Sequence, residues 1–152
     1  MAALTRAEIV PGVVVQLDDA DAIRATGRAK CNAELAAGKD RAVRGEHAFL
    51  VLNIVPGTDT VVLSPVFSGI APGSEALDEG RKSGYASKWI GVVLYINRAQ
   101  HWEVRAPDVV AHSGVDDTPV GNRRRYAADD PAELGRILAL RKKNRAPWRS
   151  IH

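Results

Sequence analysis

The hydrophobic pattern of the chain is strongest in two apolar runs that lie on either side of a short polar turn. The first run covers residues 48–55 and the second covers residues 60–67, and the sequence Pro-Gly-Thr-Asp separates them at residues 56–59. Runs of this length that are rich in valine, leucine and phenylalanine and flank a Pro-Gly turn are typical of a β-hairpin. Because both runs are apolar almost throughout, they predict central rather than edge strands.

Weaker patterns predict further elements on both sides of this hairpin. Short apolar or alternating runs favour strands over residues 13–17, 89–96, 101–104 and 108–112. Between the first of these and the hairpin, residues 19–38 are rich in alanine and charged side chains and begin with aspartates, which favours an inserted helix. Residues 69–86 contain four glycines and predict a long loop.

A terminal helix has the clearest boundary signals in the chain. Asp130 is a favourable N-cap, Pro131 suits the first helical position, and Glu133 completes a capping box. The apolar residues that follow recur at the spacing of one helix face: Leu134, Ile137 and Leu138. These signals predict a helix over residues 129–145.

Together these elements predict a mainly β (α+β) fold in a single domain of residues 1–152. The simplest architecture for short strands in a chain of this size is a small SH3-like antiparallel barrel with an inserted helix and a C-terminal helix. On this interpretation the chain divides into a tail at 1–10, a barrel at 11–128 with its inserted helix at 19–38, the terminal helix at 129–145 and a tail at 146–152.

Composition places the chain among ordinary globular proteins and excludes several classes. Hydrophobic residues make up 45% of the chain and charged residues 26%, which excludes disordered and membrane-spanning compositions. Cys31 is the only cysteine, so an intrachain disulfide is impossible and a cytoplasmic location is expected. No run approaches the roughly 20 apolar residues of a membrane helix and no signal-peptide stretch is found, so no membrane contact is expected.

Positive charge is concentrated toward the C-terminus. Residues 120–152 contain nine lysine or arginine residues and three acidic ones, although the whole chain has a net charge of only +3. Such a segment predicts either a polyanion-binding surface or a solvated helix face with a basic tail. Arginine forms bidentate hydrogen bonds with phosphate, and tyrosine stacks on bases. If the segment is a polyanion-binding surface, the candidates for nucleic-acid binding are Arg123, Arg124, Arg125, Tyr126, Lys142 and Lys143.

Catalytic motifs of high specificity are absent from the sequence. It has no P-loop, no HExxH, no GxSxG and no paired CxxC, and its histidines and aspartates lack the spacing of a metal site. No metal or cofactor is therefore expected. His47 is the best candidate for acid–base chemistry, because histidine titrates near neutral pH and Glu46 precedes it at the start of a strand. The alternative is an ordinary histidine at a strand end.

Several segments together resemble the PemK/MazF-like toxins of toxin–antitoxin modules. The Pro-Gly turn and valine-rich strand at 11–15, the strands at 49–53 and 61–68, and the terminal helix at 130–143 follow the order of elements in that family. The resemblance implies an SH3-like barrel, a homodimer, and metal-independent, sequence-selective cleavage of single-stranded RNA. It also implies an antitoxin partner, whose peptide covers the RNA groove.

The reactive positions of that family are occupied by other residues here. Glu46 and His47 stand where the family has an arginine-proline pair, and Phe67 stands where it has a threonine. In one hypothesis Arg44 clamps phosphate, His47 transfers protons and Ser68 orients the substrate in a rearranged ribonuclease site. In the other, the barrel is a non-enzymatic adaptor that binds nucleic acid or a protein partner, such as an accessory factor or inhibitor encoded by a phage or plasmid.

Overall fold

The helices and strands lie in the residues that the computed structural model describes, which are 3–31, 35–36, 39–40, 42–144 and 149–150, with side chains in 3–31 and 42–140. The strands are β1 (Val14–Leu17), β2 (Lys30–Cys31), β3 (Leu35–Ala36), β4 (Lys39–Asp40), β5 (His47–Ile54), β6 (Thr60–Pro65), β7 (Ser74–Ala76), β8 (Lys82–Ser83), β9 (Tyr95–Asn97), β10 (Trp102–Arg105), β11 (Arg125–Tyr126) and β12 (Arg149–Ser150). The α-helices are α1 (Ala20–Ala25), α2 (Ala106–Ala111) and α3 (Pro131–Asn144), and 3₁₀ turns form at Arg6–Glu8 and Glu79–Arg81.

The main sheet is antiparallel and contains the predicted hairpin at its centre. Its strands are hydrogen-bonded in the order β1-β5-β6-β10-β2-β12. β5 pairs with β6 around the Pro-Gly turn, where the Val55 N–H donates to the Thr60 carbonyl at 2.9 Å. The hairpin and its central position are therefore confirmed. A register shift between Val51 and Asn53 marks a bulge in β5, which bends the strand and increases its twist.

The sheet buries apolar side chains on both faces, because successive residues of a strand point to opposite sides. One face forms the first core, which includes Val15, Phe49, Val51, Leu63 and Trp102. The other face forms the second core, which includes Val14, Leu50, Leu52, Trp89, Tyr126, Leu134 and Ile137. α3 therefore packs against the second face of the sheet, where it contributes the last two of these residues.

A mainly β, α+β fold is confirmed, while the closure of a barrel is not seen in the strand pairing. Over the described residues the pairings run in one line from β1 to β12, and β11 continues beside β1 through a bridge between Val13 and Arg125. The two-stranded pairs β3–β4, β7–β9 and β8–β11 accompany the main sheet. None of the helices in the described ranges has both the length and the apolar character that crossing a membrane requires.

The predicted terminal helix is confirmed as α3. The Oδ1 atom of Asp130 accepts a hydrogen bond from the Glu133 N–H at 3.3 Å, as an N-cap does. The Glu133 carboxylate is not used in a capping box. It instead pairs with the guanidinium groups of Arg136, one turn on, and Arg81, from the second 3₁₀ turn. These ion pairs attach the start of α3 to the segment that contains β8.

The helix predicted over residues 19–38 is wrong in its extent. Of the residues in this range that the structure describes, only the six of α1 are helical, because Gly27 adopts a left-handed φ of +71° just after the helix ends. The chain then forms β2, which pairs with Trp102 and Glu103 of β10. Alanine content favours a helix locally. The backbone of β2 instead pairs with the edge of β10, a distant partner that the local sequence pattern does not reveal.

Two predicted strands are also wrong. The apolar run at 89–96 begins in a turn at 89–91, where Gly91 adopts a φ of +78°, has no regular structure at 92–94, and joins β9 only at its end. The run at 108–112 belongs to α2, whose first turn contains Pro107. The loop predicted over 69–86 contains β7, the second 3₁₀ turn and β8. For the runs at 89–96 and 108–112, the local apolar pattern was too short to separate a strand from other structure.

Candidate functional site

A pocket of about 450 Å³ opens at the edge of the sheet, beside the start of β5. This volume lies within the range of about 300–1,000 Å³ that is usual for small-molecule sites. The pocket lies between strands β1 and β5, the residues that follow β6, and two loops at 85–94 and 113–124. Its lining residues are Val14, Gln16, Glu46, His47, Ala48, Val66, Phe67, Ser68, Gly69, Lys88, Trp89, Leu94, Val115, Asp117 and Arg124.

His47 is the first residue of β5, and its imidazole ring lies among aromatic side chains. The ring meets those of Phe67 and Phe49 edge-on, with centroid distances of 5.2 and 5.6 Å. Its Nε2 atom is buried and has no hydrogen-bond partner within the described residues. Burial lowers the pKa of His47, while a hydrogen bond with the backbone of Val66 opposes this shift. The imidazole is therefore neutral at neutral pH and able to accept a proton.

Other polar side chains in the pocket lining are unpaired. Those of Gln16, Glu46, Ser68 and Lys88 have no hydrogen-bond or ion-pair partner in the part of the chain that the structure describes. Lys88 also has a left-handed backbone, with a φ of +58°. Such a conformation costs a non-glycine residue about 1–3 kcal/mol and is found most often at functional sites. The lining thus offers a ligand a free ammonium group and a free carboxylate.

Arg124 also lines the pocket, but its guanidinium group is already occupied. Its Nε and Nη2 atoms donate to the carbonyl of Ser87 at 3.0 and 2.6 Å, and Nη1 donates to the Asp117 carboxylate at 3.3 Å. The guanidinium carbon lies 5.6 Å from the centroid of the Tyr85 ring. Arg124 therefore joins the two loops that border the pocket, and Lys88 is the available cation.

The loop at 85–94 is held in place by a buried lysine. The Lys82 side chain is 1% exposed, and its Nζ donates to the Glu79 carboxylate at 2.9 Å and to the carbonyls of Trp89 and Val92 at 3.0 and 2.5 Å. The other oxygen of Glu79 accepts from the Gly91 N–H at 2.9 Å. These bonds satisfy the backbone of the turn and so define the position of this side of the pocket.

The loop at 113–124 is held by a buried ionic network. The Asp116 carboxylate is fully buried and accepts from the backbone N–H of Gln16 in β1 at 2.9 Å. Arg123, which is 2% exposed, lies with its Nη1 3.8 Å from Asp116 and donates to the Glu8 carboxylate at 2.7 Å and the Thr118 carbonyl at 2.8 Å. The network attaches the loop to the sheet and to the first 3₁₀ turn.

Of the three predicted catalytic residues, the structure brings two together. His47 and Ser68 line the same pocket, from the start of β5 and from the segment after β6. Arg44 is not among the lining residues, and its exposed guanidinium group pairs with Asp21 at 3.3 Å. The unpaired cation in the pocket lining is Lys88 and not Arg44. Sequence reasoning missed it because a lysine in a glycine- and serine-containing loop has no distinguishing pattern.

The predicted nucleic-acid-binding cluster is not an exposed patch. Arg123, Arg124 and Tyr126 are buried, and the Tyr126 hydroxyl accepts from the Asp78 N–H at 2.8 Å, while burial raises its pKa. Arg125 is exposed. The predicted contribution of Lys142 and Lys143 lies outside the described side chains. The run of three arginines predicts a nucleic-acid-binding cluster, whereas Arg123 and Arg124 bind acidic groups and backbone carbonyls within the protein.

No cluster of three or more histidine, cysteine, aspartate or glutamate residues suited to a metal ion occurs in the described ranges. Comparison of the chain with known family profiles, with curated proteins and with solved structures found no match in any of the three.

Proposed function

We propose that the pocket binds one nucleotide of a single-stranded RNA and that His47 is the base of a metal-independent cleavage there. The observation on which the proposal depends is that His47, whose imidazole is neutral, lines the same nucleotide-sized pocket as the unpaired groups of Ser68 and Lys88. Acid–base catalysis needs a base whose pKa lies below the working pH, and phosphate recognition needs a free cation. The pocket contains both.

In the proposed reaction the 2′-hydroxyl oxygen of the bound nucleotide attacks the adjacent phosphorus. His47 takes the hydroxyl proton as the new P–O bond forms, and the P–O5′ bond breaks. The departing 5′-oxygen takes a proton from water, so the products are a 2′,3′-cyclic phosphate and a free 5′-hydroxyl. The Lys88 ammonium group offsets the additional negative charge on the phosphate oxygens, and the Ser68 hydroxyl donates a hydrogen bond to one of them.

A binding protein without turnover is the second candidate, and one observation favours it. The Nε2 atom of His47 is buried in the absence of RNA, and Phe67, whose ring packs edge-on against the imidazole, also lines the pocket. Cleavage requires that the Phe67 side chain move so that Nε2 reaches the 2′-hydroxyl. If Phe67 stays in place, the pocket can still bind a nucleotide through Lys88 and its apolar walls.

The test is an incubation of the purified protein with a long RNA of mixed sequence in the presence of EDTA. Discrete cuts with 2′,3′-cyclic phosphate ends, absent with a His47→Gln preparation, support the cleavage proposal. Intact RNA that is shifted on a native gel supports the second candidate. RNA that is neither cut nor shifted contradicts both. Preparing the variant in parallel excludes a contaminating ribonuclease, which would be present in both samples.

Removal of the Lys88 charge is expected to weaken RNA binding. Lys88→Met should reduce affinity about three- to tenfold and lower the slope of log affinity against log salt by about 0.7, because one phosphate contact is lost. Fluorescence anisotropy with an uncleavable oligonucleotide at several salt concentrations measures both effects. Lys30→Met is the matched control, since Lys30 is exposed on β2 and does not line the pocket. An equal loss of RNA affinity in both variants would contradict the assignment of Lys88 as the phosphate contact.

The proposal retains the finer expectations that came from the family resemblance. These are the closure of the sheet into an SH3-like barrel, action in the cytoplasm, a homodimer and an antitoxin partner. The exposed apolar side chains of Ile70 and Val93 lie on the two segments that are joined beside the pocket by the backbone pairing of Phe67 with Tyr95. Sedimentation equilibrium tests the dimer, and a mass of one chain at all concentrations would contradict it.

A further inference from the structure

We infer that Glu46 makes the pocket selective for guanine, an inference that rests on the proposed function. Glu46 directly precedes His47 and lines the same pocket. Its carboxylate is exposed and has no partner among the described residues, whereas the other lining carboxylate, Asp117, is bonded to Arg124. Glu46 is therefore the carboxylate that is free to accept hydrogen bonds from a ligand.

The pocket as a whole suits a flat ring with polar edges. Its walls contain apolar and aromatic side chains: Val14, Ala48, Val66, Phe67, Trp89, Leu94 and Val115. Walls of this kind favour the faces of a nucleobase, while polar groups placed at the edges set its identity. The unpaired polar groups of the lining are the Glu46 carboxylate, which accepts hydrogen bonds, the Lys88 ammonium group, which donates them, and the Gln16 amide and Ser68 hydroxyl, which do both.

Guanine is the RNA base that matches this set of groups. A carboxylate accepts two parallel hydrogen bonds, and guanine presents two adjacent N–H donors, at N1 and at the 2-amino group. Adenine and cytosine present an amino group next to a ring acceptor, which repels the second carboxylate oxygen. Uracil presents one N–H between two carbonyls. Guanine also presents O6 and N7 as acceptors, to which the Gln16 amide can donate, while Lys88 stays at the phosphate.

The test measures binding of fluorescent pentanucleotides that have 2′-fluoro sugars and so cannot be cleaved at a 2′-hydroxyl. The four probes share flanking uridines and differ only in the central base, and a fifth has inosine there. We expect the guanine probe to bind about tenfold or more tightly than the others. The inosine probe, which lacks the 2-amino group, should bind less tightly than the guanine probe. In Glu46→Gln, the preference for the guanine probe over the other three bases should fall to less than about threefold.

Glu103→Gln is the matched control, because Glu103 lies in β10 and does not line the pocket. This variant should keep the guanine preference of the wild-type protein. Equal binding of the four bases by the wild-type protein would overturn the inference and leave the proposed function standing. A guanine preference that survives in Glu46→Gln would overturn the role of Glu46. Binding of none of the probes would overturn the inference and the proposed function together.

Discussion

Replacing Arg123 with methionine is expected to lower the free energy of unfolding by about 3–5 kcal/mol, because it leaves the buried carboxylate of Asp116 without its neighbouring cation. Arg123 is 2% exposed and lies between Asp116, which is fully buried, and Glu8. Methionine fills a similar volume, so the loss reports the ionic network and not a cavity. Urea unfolding at pH 7, followed by tryptophan fluorescence, measures the change.

Arg125→Met is the matched control for this prediction. It removes the same charge two positions along the chain, from a side chain that is exposed. Surface substitutions of this kind usually change stability by about 0.5 kcal/mol or less. If the two variants unfold at the same urea concentration, the interpretation of Arg123 as an internal structural residue is wrong.

The same network predicts a difference at acid pH. The hydrogen bond from Arg123, followed by that from the Thr5 backbone, lowers the pKa of Glu8 from its usual 4.5 to about 2. As the pH falls, the Glu8 carboxyl is therefore protonated in the unfolded chain before it is protonated in the folded protein. The stabilisation of the folded state by this interaction is complete above about pH 5 and is lost toward pH 2. Between these pH values the free energy of unfolding of the wild-type protein should fall by about 1–2 kcal/mol more than that of Arg123→Met, because the variant lacks the interaction.

Replacing His47 with glutamine is expected to lower the rate of RNA cleavage by about 10²–10⁴-fold, the usual contribution of a general base. Glutamine keeps the polarity and approximate size of imidazole but cannot accept the 2′-hydroxyl proton at neutral pH. Single-turnover cleavage of a fluorescent RNA at saturating protein isolates the chemical step from binding. His112→Gln is the control, because His112 pairs with Asp18 at 2.7 Å and does not line the pocket.

The pH dependence of cleavage provides a second measurement on His47. A base must be deprotonated to act, so the rate should rise with pH along a limb whose midpoint lies below the usual histidine pKa of 6.5, since burial lowers the pKa of this residue. A midpoint above pH 6.5 in the pH dependence of the rate would contradict the assignment of His47 as the base. A His47→Gln variant as active as the wild-type protein would contradict it as well. Near-UV circular dichroism of both variants confirms that the aromatic packing around the pocket is intact.

The elements that were predicted correctly are those whose determinants lie close together in the chain. The β5–β6 hairpin depends on two apolar runs and the turn between them, and α3 depends on Asp130, Pro131 and the helical spacing of Leu134 and Ile137. The elements that were wrong depend on distant partners. The alanine-rich segment stops being helical where β2 meets the edge of β10, and the apolar run at 89–96 turns where Lys82 binds its carbonyls.

The candidate site divides in the same way. The proximity of His47 and Ser68 follows from the hairpin, because His47 begins one of the paired strands and Ser68 follows the other. The cation that joins them depends on long-range folding. Arg123 and Arg124 pair with Asp116 and Asp117 of their own loop, but their other partners, Glu8 and the Ser87 carbonyl, come from distant segments. Lys88 is placed at the pocket by a loop folded around Lys82. Charge counted along a chain does not distinguish a solvated cation from a paired one, because that depends on long-range packing.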